Sequence, residues 1–169
     1  MNDAPPLRRL RLVARGVVQG VGFRPHVYRT AVAVGLTGRV ANTTAGVVIE
    51  VQGSGDAVGG FADRLRAGAR PPMRIDELGV EAVDVVPGEG CFAIEPSVDS
   101  AGAASLLPAD LTTCPDCIEE TLRLPGRRRG YAFTNCTACG PRYTIVREVP
   151  YDRPATTMAA FPLCTDCRR

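Results

Sequence analysis

Hydrophobic positions in the first ninety residues follow two periods, one typical of strands and one typical of helices. Leu10, Leu12 and Ala14 alternate with their neighbours, which predicts a half-buried strand. Helical spacing follows at Phe23, Val27, Ala31 and Val34. Pro25 is tolerated in the first turn of such a helix, and Gly35 is a typical stop signal.

Alternation returns after the turn at residues 42–46, and its apolar positions are Val47, Ile49 and Val51. A second helix follows, with apolar positions at Val58, Phe61 and Leu65. We expect Ser54 or Asp56 to cap this helix. The last strands are predicted at Val83, Val85, Phe92 and Ile94. Two helices on one face of an antiparallel sheet, in the order βαββαβ, predict an α+β fold of the ferredoxin-like type.

The cysteines divide the chain into two modules, because residues 1–90 contain none and six of the seven lie between 114 and 167. The stretch at 97–104 is small and polar, which is typical of a linker. We predict a first domain at residues 1–96, a linker at 97–107 and a small Cys-rich module at 108–169. This linker predicts independent modules. Cys91 begins a strand and is expected to pack in the core.

The amino-acid composition excludes some kinds of active site and makes others less plausible. The hydrophobic fraction of 45% is enough for a core, and the net charge of +2 is low for a protein that binds nucleic acid by charge. All 20 basic residues are Arg, which excludes a catalytic lysine and a phosphate-loop lysine. A phosphate would therefore be bound by Arg and by backbone N–H groups.

Residues 1–12 have no apolar stretch of signal length, and no run approaches the roughly 18 apolar residues that span a membrane. We therefore expect a cytoplasmic protein without a membrane partner. Seven cysteines in such a chain favour metal binding over disulfides.

A glycine-rich loop at residues 16–22 follows the first strand and opens the first helix. Uncovered N–H groups at a helix N-terminus bind anions, and Arg24 lies where its guanidinium could reach a phosphate. The loop is neither a Walker loop nor a dinucleotide fingerprint. Taken alone, it could also be a structural turn with a surface arginine.

The run Val-Gln-Gly-Val-Gly-Phe-Arg at 18–24 is similar to the acylphosphatase signature, and Gly-Arg-Val-Ala-Asn at 38–42 fits that family's second motif. The resemblance implies an acyl phosphate hydrolase with a ferredoxin-like sandwich. It implies a phosphate-binding loop made of Gln19, Gly20, Val21, Gly22, Phe23 and Arg24. Arg24 would bind the phosphate and Asn42 would orient the attacking water. His26 could face the phosphate, but a lone helix histidine is more often structural.

Two Cys-x-x-Cys pairs, Cys114/Cys117 and Cys136/Cys139, are separated by eighteen residues and have the spacing of a structural zinc site. Redox-active or free thiols are the alternative. Cys164 and Cys167 form a third pair. That pair is either half of an incomplete second site or shares metal with the other two.

The short segments that flank these cysteines, such as Gly-Pro-Arg-Tyr-Thr-Ile at 140–145, resemble the corresponding segments of hydrogenase-maturation carbamoyltransferases of the HypF family. The resemblance implies Zn²⁺, carbamoyl phosphate as the acyl phosphate, later nucleotide-binding and transfer domains absent here, and a partner maturation protein. Two alternatives are a phosphate-binding or zinc-ribbon interaction module without turnover, and a nucleic-acid-binding zinc module using the Arg run at 127–129.

Overall fold

A five-stranded sheet with helices packed on it forms the first module. The computed structural model describes residues 6–98, 109–134, 136, 139, 143–162, 164 and 165. The strands are β1 (Leu7–Val17), β2 (Thr37–Thr43), β3 (Gly46–Ser54), β4 (Arg74–Val83) and β5 (Phe92–Ile94). The helices are α1 (Phe23–Ala33), α2 (Gly55–Gly59) and α3 (Phe61–Gly68).

The strands lie in the order β4-β1-β3-β2-β5. β1 pairs antiparallel with both β3 and β4, and β3 pairs antiparallel with β2. The predicted ferredoxin-like order is confirmed, with one addition: short β5 runs parallel to β2 at the sheet edge. Because β1 runs antiparallel to β3, the glycine loop after β1 and the turn between β2 and β3 lie at the same end of the sheet.

The core lies between the sheet and α1 and α3. Leu12 of β1 is opposite Ile49 of β3, and both side chains are fully buried. The helices add Phe23, Phe61 and Leu65, which are also fully buried. These are positions that the two hydrophobic periods mark, so the patterning itself specifies which faces meet.

The second helical stretch differs from the expectation, because it is two helices that meet at Gly60. Two consecutive glycines, Gly59 and Gly60, each disfavour helix by about 1 kcal/mol relative to Ala. Ser54 is the cap, since its Oγ accepts a hydrogen bond from the backbone N–H of Ala57 at 3.4 Å. Of the two predicted capping residues, Ser54 is therefore the one used.

Two expectations near the end of the first module were wrong. Val85 lies outside β4, because the Gln52 side chain bonds both backbone groups of Val86 and turns the chain off the sheet. Cys91 is exposed and does not pack in the core. It precedes an edge strand, where its carbonyl accepts from the N–H of Gly38 at 3.1 Å.

A buried arginine ties the sheet to the segment that follows β4. Arg9 is 4% exposed and donates to Glu89 at 2.7 Å and to Glu50 at 2.8 Å. Glu50 also accepts from Arg39 at 3.0 Å. Burial opposes the charge on Glu50, but the hydrogen bonds from Arg39 and Arg9 outweigh it and lower its pKa.

The described residues of the second module include little regular structure. They contain α4 (Pro115–Leu122) and three single turns of 3₁₀ helix at Tyr143–Ile145, Arg153–Ala155 and Thr157–Ala160. Val146 and Thr156 form an antiparallel bridge that closes the segment between them. No helix in the described ranges has the length and apolar character to cross a membrane.

Candidate functional site

The glycine loop turns sharply between β1 and α1. Gly20 and Gly22 have φ angles of 72° and 75°, a left-handed conformation that strains other residues. Val18 and Val21 are buried in the core and anchor the loop from below. Gly22 is the N-cap of α1 and supplies no side-chain cap. The loop therefore offers backbone N–H groups at the start of an eleven-residue helix, the usual arrangement for binding an anion.

Arg24 and Asn42 line the same small cavity of about 220 Å³, although one is on α1 and the other lies near the end of β2. Its walls are Val18, Gly20, Gly22, Phe23, Arg24, Pro25, Asn42, Tyr151, Asp152 and Arg153. The structure thus brings the two predicted catalytic residues together. Most of the predicted loop lines the cavity with them; Gln19 and Val21 do not.

Asn42 is 1% exposed, and its two amide atoms have different surroundings. Nδ2 donates to the backbone carbonyl of Tyr151 at 3.1 Å. Oδ1 is buried and has no hydrogen-bond partner among the described residues. A buried acceptor without a partner costs stability, and a water bound in the cavity would satisfy it.

Gln19 has its side chain turned toward the protein interior. Nε2 donates to the carbonyls of Thr43 at 2.7 Å and Gly46 at 3.0 Å, which braces the β2–β3 turn beside Asn42. Oε1 accepts from the backbone N–H of Tyr151 at 2.9 Å. The side chain of Gln19 therefore positions the backbone around the cavity and is not part of its wall.

Sequence reasoning missed the contribution of the second module. Arg24 donates through Nη2 to Asp152 Oδ1 at 2.5 Å and through Nη1 to Oδ2 at 3.4 Å. The hydroxyl of Ser97 also donates to Asp152. Independent modules do not make such contacts, so the expectation drawn from the linker fails here. In the sequence, the run Tyr-Asp-Arg at 151–153 is the feature that could have drawn attention to this segment.

The predicted linker begins within the folded part of the chain. Val98 donates its N–H to the Asn42 carbonyl at 2.9 Å, in line with β2. Residues 99–107 of that linker lie outside the described residues.

His26 is buried, and its Nε2 lies 3.0 Å from the carbonyl of Leu65 on α3. It does not line the cavity of Arg24. The structural interpretation of this histidine is therefore the one that the geometry supports.

Four cysteines of the second module come together as the spacing predicts. The sulfurs of Cys114, Cys117, Cys136 and Cys139 all lie within 4.8 Å of one another. Three of the sulfur–sulfur distances are 3.6, 3.9 and 3.9 Å. A tetrahedron with metal–sulfur bonds of about 2.3 Å has edges of about 3.8 Å, so this arrangement fits a metal ion.

The thiols of this cluster differ in acidity. Burial raises the pKa of Cys117, and its neighbours Cys114, Cys136 and Cys139 raise it further. Burial also opposes ionisation of Cys139, but backbone N–H groups of Cys136 and Cys114 lower its pKa to about 6. Four thiolates this close together would repel one another, and a bound cation would allow all four to be ionised.

The third cysteine pair is only partly described. Cys164 is exposed, and Arg127 donates to its sulfur at 3.3 Å. Cys167 lies outside the described residues, so the predicted second metal site stays a prediction. Arg128, in the same basic run, pairs with Glu120 at 3.2 Å. Two of these three arginines thus have partners inside the module, which weakens the nucleic-acid alternative.

Comparison with known proteins agrees with this geometry. The acylphosphatase family model matches residues 10–94. The acylphosphatase of Caldivirga maquilingensis is 40% identical over 84 residues, which cover 48% of this chain and 82% of that protein. The chain belongs to the acylphosphatase family. The second module of the chain matches the HypF finger model over residues 113–146.

Longer relatives carry both modules. The carbamoyltransferase HypF2 of Cupriavidus necator is 48% identical over 161 residues, 95% of this chain and 20% of that protein. A crystal structure of full-length HypF in the phosphate- and nucleotide-bound form superposes with a TM-score of 0.89 at 37% identity. That match covers 100% of this chain and 22% of the other. This chain therefore spans about a fifth of the length of the carbamoyltransferases it matches.

Proposed function

We propose that this protein hydrolyses acyl phosphates, carbamoyl phosphate in particular, at Arg24 and Asn42. The observation that carries the proposal is one cavity lined by the glycine loop, by Arg24 and by an asparagine whose buried Oδ1 lacks a partner among the described residues. The loop N–H groups and the guanidinium neutralise the phosphate. Asn42 Oδ1 accepts a hydrogen bond from the attacking water and holds that water in place.

The arrangement suits a reactive substrate. An acyl phosphate is a mixed anhydride, and its hydrolysis gives a carboxylate or carbamate together with inorganic phosphate. Because the leaving group is already a good one, the reaction needs charge neutralisation and a placed water more than a strong base. An amide side chain can orient water but does not take its proton at neutral pH, which fits this chemistry.

Carbamoyl phosphate is the proposed substrate because a relative named a carbamoyltransferase aligns with 95% of this chain, including both modules, at 48% identity. On this proposal the chain acts as part of a cytoplasmic carbamoyltransferase in hydrogenase maturation. Further domains would then adenylate and transfer the carbamoyl group to a partner maturation protein.

Phosphate release from carbamoyl phosphate and from acetyl phosphate tests the hydrolase proposal. Arg24→Ala should lower the rate by at least about a hundredfold, and Arg24→Lys should not restore it, because an ammonium lacks the two-pronged geometry. Arg29→Ala is the matched control, since Arg29 is an exposed arginine on the same helix. Near wild-type hydrolysis by Arg24→Ala would show that the site is elsewhere.

For the cysteine cluster we propose one structural Zn²⁺, because four sulfur ligands in a tetrahedron favour that ion. Elemental analysis should find one zinc per chain, lost in Cys139→Ser and kept in Cys91→Ser, whose thiol lies outside the cluster. Cys164 and Cys167 should be weakly metallated at most. No zinc, or two firmly bound zincs, would contradict the assignment.

A further inference from the structure

We propose that Asp152 competes with the substrate phosphate for Arg24 and so sets the phosphate affinity of the hydrolytic site. This inference rests on the proposed function, since it takes Arg24 as the phosphate ligand. It assigns to the second module a part in substrate binding, beyond any role for its metal. The carboxylate of Asp152 is the group that a bound phosphate has to displace.

The geometry of the Arg24–Asp152 pair is that of an anion on a guanidinium fork. One carboxylate oxygen lies 2.5 Å from Nη2 and the other 3.4 Å from Nη1. Phosphate binds arginine in the same two-pronged way, through the same nitrogens. The side chains are 20% and 29% exposed, so solvent screens this pair only in part.

Asp152 reaches Arg24 because its neighbour Tyr151 is fixed on both sides. Gln19 accepts from the Tyr151 N–H, and Asn42 donates to the Tyr151 carbonyl. The hydroxyl of Ser97 then binds the Asp152 carboxylate. These three contacts hold the Asp152 carboxylate beside the glycine loop, and they come from Gln19, from Asn42 and from the segment that follows β5.

Arg153 supports the same assignment. It lines the cavity, but its Nη2 donates to the Phe161 carbonyl at 2.5 Å, within its own module. Asp152 thus lines the cavity beside the Arg24 guanidinium, and among the described residues no second arginine pairs with its carboxylate. Since a phosphate carries the same sign of charge as Asp152, the two exclude each other at Arg24.

The test is Asp152→Asn in the whole two-module chain, which keeps the side-chain shape and removes the charge. Calorimetry with inorganic phosphate should give a dissociation constant lowered roughly fivefold, the size expected for loss of a partly shielded ion-pair competitor. KM for carbamoyl phosphate should fall by a similar factor, with kcat changing less than twofold. Glu120→Gln is the control, because it removes a paired carboxylate from the same module, away from the cavity.

A double variant shows whether Asp152 acts through Arg24. In an Arg24→Ala background, Asp152→Asn should not strengthen phosphate binding. Unchanged or weaker phosphate binding by Asp152→Asn, with hydrolysis intact in the wild type, would overturn this inference and leave the proposed function standing. Absence of both phosphate binding and hydrolysis in the wild type and in Asp152→Asn would overturn both.

Discussion

Gln19→Met offers the sharpest test of how the site is braced. The Gln19 side chain is 1% exposed and makes three hydrogen bonds, to the carbonyls of Thr43 and Gly46 and from the N–H of Tyr151. Met has a similar length but neither donor nor acceptor of comparable strength. At about 1 kcal/mol for each hydrogen bond lost, we expect the free energy of unfolding to fall by about 3 kcal/mol.

The same change should lower turnover in the folded protein. Without the Gln19 amide, the N–H of Tyr151 and the carbonyl of Thr43, next to Asn42, each lose one hydrogen bond. The amide of Asn42 is then less well oriented, and a poorly placed water costs about a hundredfold in rate. Urea unfolding followed by circular dichroism gives the stability, and initial rates of phosphate release at low temperature give kcat.

Gln52→Met is the matched control for this experiment. Gln52 is also buried, at 3% exposure, and bonds both backbone groups of Val86, at 2.7 and 2.9 Å. It lies on β3 and does not line the cavity. The control should lose comparable stability and keep its kcat. Equal kcat in folded Gln19→Met and wild type, or an equal loss in Gln52→Met, would refute the reasoning.

Three further results are expected. Asn42→Ala should lower kcat about a hundredfold while inorganic phosphate binds within about twofold of wild type, and a parallel loss of phosphate binding would mean that Asn42 shapes the loop. Removing metal with a chelator, or with Cys139→Ser, should lower kcat severalfold, because the second module, whose Tyr151 carbonyl holds the Asn42 amide, would lose its fixed structure. Unchanged rates would show that this module keeps its structure without metal. The pKa of Glu50 is lowered in the folded state, so its bonds to Arg9 and Arg39 stabilise the protein fully above the ordinary glutamate pKa of about 4.3 and are lost as pH falls from there through the lowered pKa. In Glu50→Gln, the free energy of unfolding measured in urea should therefore fall less steeply with decreasing pH than in the wild type. An equally steep fall would contradict the assignment.

Much of the fold was predictable because the sheet buries one face. Alternation at Leu12 and Ile49 and helical spacing at Phe23 and Phe61 mark the side chains that meet in the core. The break at Gly60 was less visible, since apolar residues continue on both sides of it.

The candidate site was predictable in part, for a related reason. Arg24 and the glycine loop are local in sequence, and Asn42 belongs to a second short motif, so both can be found by inspection. The contacts of Tyr151 are made by its backbone, and backbone hydrogen bonds leave no hydrophobic period in the sequence. The polar linker gave no sign that Asp152 would reach Arg24, because docking of the second module depends on such contacts and not on linker composition.

The contact between Arg24 and Asp152 joins residues 128 positions apart. Closing so long a loop is slow compared with forming the local turns of the first module. During synthesis the glycine loop and Asn42 therefore emerge and fold well before the acidic residue that restrains Arg24. If Asp152 competes for Arg24 as proposed, a newly made chain binds free phosphate more tightly before its second module has folded than afterwards.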